Sequence, residues 1–204
     1  MRIKPSTLPK AVIVYRESVM KRIACLLLLF VVTPLYANAF TSGWLATVIS
    51  EPTDKLSLQQ LQQSADLYDC GLEEENQSFC SDTIRYYSTD VVARFDVEQG
   101  WVDKIELSCP FSNQAYTQLQ LNLRKDGYVL VKVSVEDKEY DVIEQLKHKT
   151  MNQVNRDVVM FINASALVSH KVMHWQKKVE DKQQETLQVA VFESHSEGIA
   201  ITIK

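Results

Sequence analysis

From Tyr87 to Cys109 apolar and polar residues alternate with a period of two, and no other stretch restricts the fold as much. Tyr87, Thr89, Val91, Ala93, Phe95 and Val97 share one side of an extended chain, and Asp90, Arg94, Asp96 and Glu98 fall on the other. Gly100 marks a turn. Trp101, Ile105, Leu107 and Cys109 then share a side, with Lys104, Glu106 and Ser108 opposite; the one break is Asp103 beside Val102. Alternation on both sides of a turn predicts an antiparallel hairpin with one dry face and one wet face.

The flanking segments supply the cover for that dry face. Trp44 to Ile49 reads as a short edge strand. A helix is expected over 57–69: Ser57 and Gln60 form a capping-box pair, Leu58, Leu61, Ala65 and Tyr68 recur on one helical face, and Gly71 can stop it. Ser112 is an N-cap for a second helix over about 113–125, with Tyr116, Leu119 and Leu123 on its apolar side and Asp126-Gly127 closing it. Val129 to Val135 is a third strand, central at its start. Asp141 and Glu144 would cap a helix running from Val142 to about 163, although DVVMFIN also suits a strand. The tail reads as strands over 168–179, 186–193 and 198–203. Strands arriving in hairpins rather than after every helix favour an α+β fold, an antiparallel β-sheet with helices packed on one face.

Residues 1–39 are excluded from that fold. Lys21 and Arg22 precede ten uncharged apolar residues, Ile23 to Val32; Pro34 follows, then Ala37-Asn38-Ala39. This order is that of a secretory signal peptide cleaved before Phe40, with Met20 as the true start. The run is shorter than the ~20 apolar residues that span a bilayer, so no stable membrane anchor is expected after cleavage. Cys25 lies too near the positive end to serve for lipid attachment. The expectation is a periplasmic or secreted protein with a single domain over 40–204.

The whole chain carries 22 basic and 26 acidic residues; setting aside the six basic residues and one acidic residue of 1–39 leaves 16 against 25, a net charge of −9. Nucleic acid and anionic lipid both demand a cationic footprint, so neither is expected as a partner. A basic protein partner or a soluble small ligand is compatible.

Three cysteines remain beyond the leader. In an oxidising compartment one disulfide is expected, and Cys70–Cys80 is the preferred pair because it closes the loop after the first helix. Pairing of either with Cys109 is the alternative; otherwise Cys109 is a free thiol.

No stretch announces a reaction. GxSxG, SxxK, a P-loop and GxGxxG are all lacking, and no cofactor is implied. His170 and His174 share a strand face at ~13 Å, too far apart for one ion, and Lys171 stands where a zinc-protease motif needs Glu. Glu73, Glu74 and Glu75 lack the alternating oxygens of a calcium loop. The wet sheet face is the better lead: Tyr86, Arg94, Lys104 and Lys132 are candidate interface residues there, and Trp175, which the pattern does not place, is a fifth, since aromatic and arginine side chains anchor interfaces. The reading is a non-enzymatic exported protein that binds another envelope or secreted protein, as an inhibitor, immunity factor or accessory subunit would. The alternatives are a small-molecule or lipid carrier with a pocket between helices and sheet, and a hydrolase using dispersed carboxylates or Cys109.

Overall fold

The computed structural model describes residues 44–50, 56–71, 75–181 and 184–204, with the backbone alone at 179–181 and 184–186. The leader, its cleavage site and the start at Met20 lie outside the described residues. Helices α1 (Trp44–Ser50) and α2 (Leu58–Gln62) precede strands β1 (Leu67–Asp69), β2 (Ser78–Tyr86), β3 (Thr89–Glu98) and β4 (Trp101–Pro110). Helix α3 (Asn113–Lys125) leads to β5 (Val129–Val135) and β6 (Lys138–Asp141). Helices α4 (Val142–Leu146) and α5 (Met151–Asn163) are followed by β7 (Lys171–Asp181), β8 (Gln184–Ser194) and β9 (Gly198–Ile203). The nine strands among the described residues form one sheet in the order β1-β2-β3-β4-β9-β8-β7-β5-β6, and every neighbouring pair is antiparallel. This is an α+β architecture.

The hairpin read from the sequence is β3–β4. Its two-residue turn has Gln99 at φ 52° and Gly100 at φ 84°, left-handed values that match the twist of the flanking strands and suit glycine. One side of the sheet holds the core: Val91, Ala93, Phe95, Ile105, Leu107, Ile199, Ile201, Ile203, Ala190, Phe192, Met173 and Trp175 are all buried. Trp44 of α1 stacks on Phe95 at 5.6 Å, and Tyr116 of α3 meets Phe192 edge-on at 5.7 Å. These helices therefore lie on the dry side. Helix α5 joins the same core through Val154 and Val158, and its Phe161 lies 5.7 Å from Tyr140 of β6.

Helix α3 begins as read, with the Ser112 hydroxyl accepting from the Ala115 amide. It ends in a Schellman motif: Tyr128 N donates to Leu123 O, Gly127 N donates to Arg124 O, and Gly127 takes φ 90°.

Several expectations give way to packing. Residues 44–50 are helical, not an edge strand, because Leu45 and Ile49, four residues apart, are both buried; a short apolar run does not declare its period. The capping box at Ser57 and Gln60 is present, but the helix stops at Gln62, and Leu67–Asp69 pairs with Phe79–Ser81 instead. Tyr68, assigned to the apolar helix face, is 52 % exposed. Strand β2 went unread because a bulge between Cys80 and Thr83 interrupts its alternation. Tyr87 is not a strand residue; it sits at φ 55° in the β2–β3 turn. The helix expected from Val142 to 163 is two helices, and Thr150 opens the second with its own capping box to Gln153. Strand β5 is not central but one strand in from the edge.

Cys70 and Cys80 are a disulfide-capable pair, with Cα atoms 5.7 Å apart. They link β1 to β2 rather than closing a loop after a long helix, since Cys80 is the cross-strand partner of Tyr68.

Candidate functional site

Among the described residues the second side of the sheet carries no buried row. Arg94, Glu106, Ser108, Ala200, Thr202, Val191, Glu193, Val172, His174 and Ser134 all point there by strand parity, and all are exposed or half-buried. An open cleft of about 600 Å³ lies on this face, at the end that holds the β8–β9 turn. Its floor follows from register: Thr83, Val92, Ser108, Ala200 and Glu193 are successive cross-strand neighbours on β2, β3, β4, β9 and β8. Pro110 and Gly198 pair in the adjoining row. Ser108, Ala200 and Gly198 have little or no side chain, so the face dips where these strands meet. A Cβ on Gly198 would lie 3.2 Å from the Cys109 carbonyl oxygen, which keeps this part of the floor bare.

The rim is acidic. Asp90, Glu193 and Glu197 line it together with His195. Arg85 Nε lies 3.2 Å from Asp90 Oδ1, and His170 Nε2 lies 2.7 Å from Glu193 Oε1. His195 is held by the tight turn, its backbone N–H donating to Gly198 O and its Nδ1 accepting from the Glu197 N–H at 3.2 Å.

The five candidate interface residues separate. Arg94, Lys104 and Lys132 lie on the open face. Arg94 Nε and Lys104 Nζ both hold Asp96, at 2.8 and 2.7 Å, and Ser78 Oγ donates to the same carboxylate at 2.8 Å. Burial alone would raise the pKa of Asp96, but these donors hold it at about 2. Lys132 pairs with Glu139 at 2.8 Å on the far side of the face. Tyr86 and Trp175, in contrast, are fully buried on the helix side. Trp175 shares strand parity with Met173 and Lys171, and the Arg124 guanidinium lies 5.3 Å from its ring centre.

Cys109 carries a free thiol; the residue borders the cleft, but by strand parity its side chain shares the side of Leu107, and it is half-buried and packed against the core. Burial pushes its pKa up, whereas a nucleophilic thiol needs it lowered. Among the described residues no three His, Cys, Asp or Glu side chains converge on a cation. His170 is taken by Glu193, and His174 faces Lys132 across the strands. Glu73 and Glu74 lie outside the described residues.

Two further polar clusters are internal. The hydroxyls of Tyr86 and Tyr87 donate to the two oxygens of Asp126 at the end of α3, and Lys125 Nζ sits 3.8 Å from the centre of the Tyr87 ring. Burial raises the pKa of Asp126, opposed by the tyrosine hydroxyls and by Lys177 and Lys125. Lys171, also fully buried, donates to the carbonyls of Ala166, Leu167 and Ser169 at 2.6, 3.0 and 3.3 Å. Both clusters satisfy buried polar groups with one another and brace the loops they touch.

The cleft was missed from the sequence because it is a property of register. Its one trace is a small residue at wet-face positions on two distant strands, Ser108 and Ala200, which adjoin only once β9 is known to pair with β4. No protein-family model, curated protein or solved structure matches the chain.

Proposed function

We propose that the chain is an exported protein-binding module, an inhibitor, immunity factor or accessory subunit of an envelope system, and that it docks its partner through the open face of the sheet. One observation carries this reading: β8 is apolar on both faces. Ala190 and Phe192 enter the core, while Leu187, Val189 and Val191 lie on the open face. The cross-strand neighbours of that row are polar, Lys178, Gln176 and His174 on β7 and Thr202 on β9; on the same face Val172 and Ala200 adjoin Glu193 at the end of β8, and Val129 and Val92 lie further out on β5 and β3. An antiparallel sheet with one solvated face ordinarily turns polar residues outward, so an apolar strip there argues for a cover. Ion pairs flank it, Arg94 and Lys104 with Asp96 on one side and Lys132 with Glu139 on the other. An apolar centre with a charged surround is the composition of a protein interface.

Export rests on the order of charges and apolar residues in Lys21 to Ala39, and the Cys70–Cys80 pair suits an oxidising compartment. Among the described residues no helix is long and apolar enough to cross a membrane. The carrier reading requires a cavity between helices and sheet; Trp175, Tyr86, Phe95 and Phe192 fill that space, and the cleft opens on the opposite side.

The test is affinity capture from periplasmic and envelope extracts with the tagged chain and with a Val191→Arg variant. A stoichiometric partner held by the first and lost by the second supports the reading. A protein that captures nothing, or that binds equally well after the substitution, refutes it.

A further inference from the structure

We infer that the partner presents a short, extended, basic segment, and that this segment lies in the groove crossing β3, β4, β9 and β8. The inference rests on the reading of the open face as a protein-docking surface and names the chemistry of what docks there.

Shape comes first. From Thr83 on β2 to Glu193 on β8 the floor spans four strand spacings, or ~19 Å at ~4.8 Å each, the length of about six extended residues. The groove runs across the strands, so its occupant cannot extend the hydrogen-bonded ladder. It has to be recognised by side chains: apolar ones on Val92, Pro110 and Ala200, charged ones at the rim.

Charge then selects the occupant. The lining contributes the carboxylates of Asp90, Glu193 and Glu197 and no lysine or arginine. Arg85 reaches Asp90 from outside, and His170 meets Glu193. The balance is acidic at the groove, and residues 40–204 as a whole carry −9. The local field favours a cationic segment once seated, and the overall charge steers it in. An acidic segment would face like charge, and a purely apolar one would strip Glu197 of water without compensation.

The experiment uses protein recovered from expression of the full sequence and two fluorescein-labelled hexapeptides, LKLKLK and LELELE, followed by fluorescence anisotropy. LKLKLK is expected to bind, more weakly as salt rises, and LELELE is not. The double variant Glu193→Gln, Glu197→Gln keeps side-chain size and is expected to weaken LKLKLK binding about tenfold. Ala200→Arg fills the floor from the solvent side and is expected to abolish binding, with an unchanged circular dichroism melt as its control. Failure of LKLKLK to bind, equal binding of both peptides, or binding indifferent to Ala200→Arg overturns the inference. A dimer seen by light scattering and dissolved by Ala200→Arg would also overturn it, assigning the groove to a second copy. Should Val191→Arg abolish capture of a protein partner while LKLKLK does not bind, the docking face stands and the basic segment falls.

Discussion

Lys104 Nζ lies 2.7 Å from Oδ2 of Asp96, so a lysine from one strand neutralises a carboxylate from its neighbour in the middle of an open sheet face. Arg94 and Ser78 occupy the other oxygen. Because these donors hold the Asp96 pKa at about 2, against 3.8 ordinarily, the carboxylate adds stability that is present above about pH 4 and disappears as pH falls towards 2. Asp96→Asn is expected to flatten the urea midpoint over pH 2–4 and to cost about 2 kcal/mol at pH 7. Equal pH slopes for the two proteins would refute this account of the cluster.

The alkaline limb belongs to Tyr86 and Tyr87. Burial first, and then hydrogen bonding to Asp126, raises both phenols above 10.0. A raised pKa contributes stability that is complete below the unfolded value and is lost as pH climbs beyond it. The protein should therefore weaken above pH 10, and phenolate absorbance from these two rings should emerge with unfolding rather than ahead of it. Asp126→Ala leaves the buried Tyr86 hydroxyl without an acceptor and is expected to cost roughly 2–3 kcal/mol. A phenolate titration completed at pH 10 with the native circular dichroism intact would contradict the arrangement.

Lys171 makes a separate structural claim. Its ammonium is the shared donor for three carbonyls between α5 and β7. Lys171→Met keeps the stem and removes the donor, and should destabilise the chain by about 2–4 kcal/mol. Amide exchange should quicken first around 166–170. A loss under 0.5 kcal/mol, within the range of an ordinary surface change, would show that the carbonyls find other partners.

The Cys70–Cys80 link spans ten residues of sequence, a loop whose closure is worth about 3 kcal/mol in the chain-entropy model. Reduction should lower the thermal midpoint and release β1 first, because β1 meets the sheet only through Phe79 to Ser81. Cys109→Ser should leave that response to reductant intact. If Cys109→Ser abolished it, the pairing would be wrong.

The sequence disclosed whatever depends on near neighbours. The β3–β4 alternation, the Ser112 cap with its Gly127 stop and the three final strands were legible because each is written within a dozen residues. Strand β2 was hidden by one inserted residue, which moves its apolar positions to the other parity. The helix at 44–50 was hidden by its brevity. Composition alone does not bury Tyr86 or place Trp175, because the side of a strand is fixed by its partners; both are buried. Arg94 and Lys104 fall on the wet face as read because alternation holds from Thr89 to Asp96 and from Lys104 to Cys109, the one break at Asp103 lying outside both runs. The cleft needed the pairing of β4 with β9, a contact across about ninety residues that no local rule of side-chain period reaches.

That same pairing sets an order of events. Strands β1 to β4 form one run of hairpins, and β5 to β8 lie together beyond them; β9 alone joins the two, between β4 and β8. It is the last of the described strands to be synthesised, so until it arrives each half has an unpaired edge where the centre of the sheet should be. The finished sheet becomes possible only when Gly198 to Ile203 is free to slot in. The strand that completes the scaffold also lays Gly198 and Ala200, the bare floor of the cleft on the open face.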